Sequence, residues 1–197
     1  MKKMKFIPHL IASLAVTSAL ASTKMVPDNP VNDFARRSLR ESASVVSDGA
    51  GPRLRMISPK AMPNMWDVQC SIDVPVIVKK GDMIVVTFAA RGKSAFGNAR
   101  WTVKLQDRKN IGLLRHDIQS GPEWKLYRYA ETALRDYTAD ELSIGLFYGH
   151  DRQTVEMSGF TLENHGAISK DALPAPPALP KWKDPEITAP DPEKPME

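Results

Sequence analysis

Between Lys60 and Gly166 the apolar residues fall in short runs at a period of two, separated by polar turns. That spacing predicts β-strands. Met83 to Ala90 is almost wholly apolar, as expected of a central strand whose second face is also shielded, and Lys80, Gly81 and Asp82 supply the turn before it. Trp101, Val103 and Leu105 alternate with Thr102, Lys104 and Gln106, which makes one buried and one open face. Trp124 and Leu126 alternate with Lys125, Tyr127 and Tyr129, and Leu142, Ile144, Leu146 and Tyr148 form another series. In the last strand Val155 and Met157 share one parity while Phe160 and Leu162 share the other, so a β-bulge is expected at Ser158-Gly159. About eight such strands without helical periodicity between them predict an all-β jelly-roll β-sandwich of two antiparallel sheets. The alternative, an immunoglobulin-like sandwich, lacks its usual cysteine pair here, since Cys70 is the single cysteine.

The flanks read differently. Lys2, Lys3 and Lys5, the apolar run Leu10 to Leu20 and the small residues Ala19 and Ala21 have the order of a secretory signal peptide, too short to span a bilayer. The expected organisation is a signal peptide over 1–21, a partly ordered leader over 22–59, the sandwich over 60–166 and a Pro-rich tail over 167–197. The leader carries one short helix, with Asn32 as its N-cap and Phe34 and Leu39 facing inward. The tail holds half of the chain's 16 prolines and should be disordered or extended, with Trp182 as its apolar anchor. The protein is therefore expected to be secreted or periplasmic, with no membrane insertion.

Composition narrows the function. The 197 residues are 42% hydrophobic and 25% charged, ordinary for a soluble domain. Loss of the three signal lysines takes the formal charge from +4 to +1, which removes the main argument for nucleic acid. The cluster Arg36, Arg37 and Arg40 is flanked by Asp33 and Glu41 and reads as a solvated helix face. Cys70 cannot close an internal disulfide, has no basic neighbour, and is expected to be a buried thiol. Cys and His spacings suit no metal site. Catalysis finds no support: Gly92 to Gly97 is one residue too long for a nucleophile elbow, and His116 and His150 each precede an Asp whose side chain points away in a strand.

The order Gly81-Asp82, an apolar strand ending in Arg91, Glu123-Trp124 with Tyr127, then Gln153-Thr154-Val155-Glu156 and Leu162-x-Asn164 resembles carbohydrate-binding modules with the galactose-binding-like jelly roll. The cellulose- and xylan-binding module of families four and nine is the type it is most similar to, over roughly Met65 to Gly166. The resemblance implies binding of a polysaccharide or glycan without catalysis, in a module that usually accompanies a glycoside hydrolase. Such modules often hold a structural calcium near an acidic pair, where this chain has Ser158-Gly159. No cofactor is expected beyond that.

Sugar binding needs aromatic faces against C–H groups and polar side chains against hydroxyls. The expected ligand contacts are Arg91, Tyr127, Tyr129, Gln153, Glu156 and Trp66. If Trp124 is core, Tyr127 and Tyr129 lie on the opposite face of their strand as a stacking platform; the alternative buries their rings beneath a loop. Arg91 either spans sugar hydroxyls or pairs with Glu156. The competing function is a secreted structural or adaptor domain that binds another protein through the sandwich or its tails.

Overall fold

The computed structural model describes residues 22–27, 30–48, 51–179 and 186–191. The expected signal peptide and Trp182 lie outside these residues. Among them the strands are β1 (Thr23–Lys24), β2 (Ala43–Asp48), β3 (Gly51–Ser58), β4 (Gln69–Val74), β5 (Met83–Ser94), β6 (Ala99–Asp107), β7 (Gly112–Ser120), β8 (Lys125–Thr132), β9 (Leu142–Phe147) and β10 (Gln153–Asn164), with one helix, α1 (Val31–Arg36). No helix of the described residues is long and apolar enough to cross a membrane.

The strands form two antiparallel sheets. The larger runs β2-β3-β10-β5-β8, with β1 pairing the far end of β10, and the smaller runs β4-β9-β6-β7. Period-two patterning drives this layering, because each sheet turns one apolar side toward the other. Leu54, Met56, Ile84, Val86, Phe88 and Met157 from the larger sheet meet Cys70, Ile72, Trp101, Val103, Leu105, Ile144 and Leu146 from the smaller. Phe88 sits at the centre, with ring centroids 5.3 Å from Trp101, 5.5 Å from Tyr127 and 6.0 Å from Phe160. The Cys70 thiol is free and buried, and burial raises its pKa.

β10 carries the expected bulge. Its register against β5 shifts between Ser158 and Thr161, and Gly159 takes a φ of 62°. This residue absorbs the change of parity, so Val155 and Met157 and then Phe160 and Leu162 all face the core.

The segment 22–59 is more than a partly ordered leader. β2 and β3 are full members of the larger sheet, and α1 buries Phe34 edge-on against Phe160, with centroids 5.3 Å apart. The helix starts one residue before Asn32, behind Pro30, and Leu39 is exposed. Leu54 and Met56 alternate with Arg53 and Arg55, a strand pattern partly masked by its basic outer face.

The chain's own C-terminal segment covers the outer face of the larger sheet. Ile168 and Leu173 pack on Met83, Val85 and Ala130, and Arg128 donates to the Pro174 carbonyl at 2.6 Å. Farther along, Ile187 is 5% exposed, and residues Glu186 to Asp191 enclose a cavity of about 410 Å³ together with Arg55, Ile57, Arg91, Thr154 and Glu156. On the outer face of the smaller sheet Asp73, Arg115 and Asp117 are exposed and Gln69, Lys104 and Gln106 half-buried, while Thr102 and Phe147 are buried.

Candidate functional site

Five of the six expected contact residues lie on or behind the covered sheet. Arg91 and Glu156 meet each other: Nε and Nη2 of Arg91 donate to Glu156 Oε2 at 2.9 and 2.7 Å. Arg55 donates to the other carboxylate oxygen at 2.9 and 2.7 Å. Burial pushes the Glu156 carboxyl up, but the hydrogen bonds from Arg55 and Arg91 outweigh it and hold the group below the usual carboxylate value. Arg91 and Glu156 are 5% and 1% exposed, and with Arg55 they line the cavity beside the C-terminal segment.

Gln153 is fully buried. Its amide donates to the Arg100 and Tyr148 carbonyls at 2.6 and 2.7 Å and accepts from the Arg100 N–H at 2.7 Å, which ties β10 to the start of β6. Tyr127 and Tyr129 correct the expected faces of β8. They pair with Phe88 and Val86 and turn inward, Tyr127 stacking on Phe88 and Tyr129 on His116 at 3.9 Å. It is Trp124 that stands on the other side, with the Arg91 guanidinium 5.2 Å from its ring. Alternation along β8 shows that the two faces differ, but both carry large amphipathic rings, so it could not show which face is inside.

Trp66 is the sixth, and it lies just before β4 of the smaller sheet. It sits 52% exposed in a 3₁₀ turn, Met65–Asp67, held by reciprocal hydrogen bonds between Asn64 and Asp67. The turn is fastened to the loop after β9, where Gly149 donates to the Met65 carbonyl at 3.0 Å and accepts from Met62 at 2.9 Å. A Cβ on Gly149 would lie 2.8 Å from the Met65 oxygen, so this close approach requires glycine.

Beside Trp66 a groove of about 450 Å³ opens on the outer face of the smaller sheet, lined by Met65, Trp66, Gln69, Lys104, Gln106, Asn110, Arg115 and Phe147. Cross-strand register builds its floor. Gln69, Phe147, Thr102 and Asp117 form one row, and Ser71, Gly145, Lys104 and Arg115 the next. The Phe147 ring lies back over Gly145, whose missing side chain leaves the room, and at 6% exposure it shows only a small part of itself at the groove floor. Thr102 donates to Asp117 at 2.6 Å at the edge of this floor. Lys104 stretches over Gly112, and its Nζ donates to the Asn110 carbonyl at 2.8 Å. Burial and the neighbouring Arg115 hold the Lys104 ammonium below the usual lysine value.

The sequence pattern carried part of this site. Lys104 and Gln106 are half-buried on the face of β6 expected to be open, but Thr102 on that face is fully buried and donates to Asp117, and Phe147 has the parity opposite Leu142, Ile144 and Leu146. Gln69, Asn110 and Arg115 had no signal, since only strand pairing places them near Lys104. The groove offers the exposed Trp66 ring beside amide and cationic donors, the combination that holds a ring with apolar faces and hydroxyl edges.

The sequence matches no protein-family profile and no curated protein. Among solved structures it is similar to the second N-terminal cellulose-binding domain of Cellulomonas fimi β-1,4-glucanase C, at 18% identity and a TM-score of 0.53, over 73% of this chain and 95% of that one. It is also similar to the CBM22-1 xylan-binding domain of Paenibacillus barcinonensis Xyn10C, at 12% identity and a TM-score of 0.50, over 77% of this chain and all of that one. An arabinose-bound α-L-arabinofuranosidase shares the fold at 14% identity and a TM-score of 0.50, over 72% of this chain, which spans only 25% of that enzyme. The chain thus has the β-sandwich fold of carbohydrate-binding modules.

Proposed function

We propose that this protein is an exported, non-catalytic module that binds a polysaccharide in the groove on the outer face of its smaller sheet. The observation that carries the reading is Trp66, 52% exposed at the lip of a groove floored by Phe147 and lined by amide and cationic side chains. A large aromatic ring left in water beside hydrogen-bond donors favours a sugar, whose C–H face desolvates the ring while its hydroxyls meet Gln69 and Gln106. Cellulose and xylan binding by the two similar modules supports the same ligand class. Asp117 is the single carboxylate in the two residue rows that floor the groove, whereas hydrolysis by a paired acid and base needs two. The basic, apolar and small-residue order of positions 1–21 supports export.

Affinity electrophoresis of the full chain in gels containing hydroxyethyl cellulose, soluble xylan or a mannan tests the reading. Retardation by at least one polymer is expected, and Trp66→Ala should abolish it while leaving the melting temperature nearly unchanged, because the ring is half exposed. If none of these polymers, and no acidic polysaccharide, slows the wild-type protein, the adaptor function takes its place.

A further inference from the structure

Lys104 and Arg115 sit directly opposite each other on β6 and β7, both on the outer face and both lining the groove. Cβ atoms of such partners are about 5 Å apart, and like charges placed so destabilise a sheet. The remaining groove lining offers no anion: Met65, Trp66, Gln69, Gln106, Asn110 and Phe147 are all uncharged. Arg115 has one carboxylate nearby, Asp117 at 3.6 Å, which also accepts the Thr102 hydroxyl. Lys104 Nζ rests on a neutral backbone carbonyl, that of Asn110, and an ammonium has three donors. Arg115 thus has Asp117 at 3.6 Å, Lys104 is acted on by Asp107 and not by Asp117, and both cations line an open groove whose other lining residues are uncharged.

We propose that the groove takes an acidic polysaccharide, with the anionic group of one sugar residue held between Lys104 Nζ and the Arg115 guanidinium while an adjoining ring lies against Trp66 and Phe147. The inference rests on the glycan-binding reading of the same groove and names its ligand class. A planar guanidinium meets a carboxylate or a sulfate through two parallel hydrogen bonds, and the ammonium adds a point charge. The anion relieves the repulsion between the two cations, which lends the binding free energy a term that a neutral chain lacks. Burial and Arg115 already depress the Lys104 pKa, and a bound anion would raise it again.

The test measures dissociation constants of the full chain for polygalacturonate, dextran sulfate and hydroxyethyl cellulose at low and at high salt. One of the two acidic polymers should bind at least tenfold more tightly than the neutral one, and which of them does so separates a uronate from a sulfate ester. Salt should weaken that preference. Arg115→Gln should cost at least tenfold on the preferred acidic polymer and less than twofold on hydroxyethyl cellulose, and Lys104→Gln should act in the same direction. Arg108→Gln, exposed and outside the groove lining, should change neither. Equal affinity for acidic and neutral polymers, with Trp66→Ala abolishing both, overturns the acidic ligand and keeps the glycan reading. An equal loss in Arg108→Gln and Arg115→Gln overturns it as general charge attraction. Failure to bind any polymer overturns both.

Discussion

The ring of Phe147 fills the space in which Gly145 would carry a side chain: a Cβ on Gly145 would come 2.8 Å from the ring's Cζ. Backbone two residues away thus sets the height of the groove floor. Gly145→Ala should tilt the ring upward, costing about 1 kcal/mol of stability through overpacking and weakening glycan retention roughly tenfold. Denaturant unfolding and affinity electrophoresis read the two effects separately; unchanged retention would mean that the ring is no part of the ligand surface.

Tyr129 behaves as interior. Its ring stacks on His116 and packs at the edge of the core beside Phe88, with centroids 6.4 Å apart. Tyr129→Ala should lower stability by about 2 kcal/mol, less than a fully buried aromatic because the ring is only half-buried. Glycan retention by the folded fraction should stay as in the wild type. A selective loss of retention with stability intact would return Tyr129 to the binding surface.

Glu156 is 1% exposed between two arginines, and removing its charge leaves both guanidinium groups without that partner. Glu156→Gln should cost about 3 kcal/mol at neutral pH, as for breaking a buried ion pair. Because the folded-state pKa lies below the ordinary 4.5, this stabilisation is complete above that value and is lost as pH falls through the folded pKa. Wild-type stability should therefore drop on acidification more steeply than that of the variant. Parallel acid limbs in a urea series would contradict the role assigned to this carboxylate.

Ile187 is buried in the C-terminal segment that lines a cavity with the ion-pair row. Ile187→Asp should release the segment around it, with a loss of at most about 2 kcal/mol, near that of exposing one aliphatic side chain. Protease cleavage between Leu179 and the C-terminus should speed up. Glycan affinity should not change, since the groove is on the opposite sheet; an affinity gain would show that the covered face is the one that binds sugar.

Local pattern was enough for the two-layer β architecture. Alternation at a period of two places Trp101, Val103 and Leu105 inside, and the parity change in β10 locates the bulge at Gly159, because both follow from the pleat of one strand and need no knowledge of its neighbours. The strand β3 and the inward turn of Tyr127 and Tyr129 escaped such reasoning. Arg55 beside Leu54 looks like a polar leader until Glu156 is seen opposite it, and ring size alone does not say whether Trp124 or Tyr127 faces the core. The open face itself depends on contacts made far along the chain. Ile187 returns to enclose a cavity with Arg91 and Glu156, while pairing among β4, β9, β6 and β7 gathers Gln69, Phe147, Lys104 and Arg115 into one groove. Periodicity records which side chains share a strand face; which face meets solvent depends on what the rest of the chain packs against it.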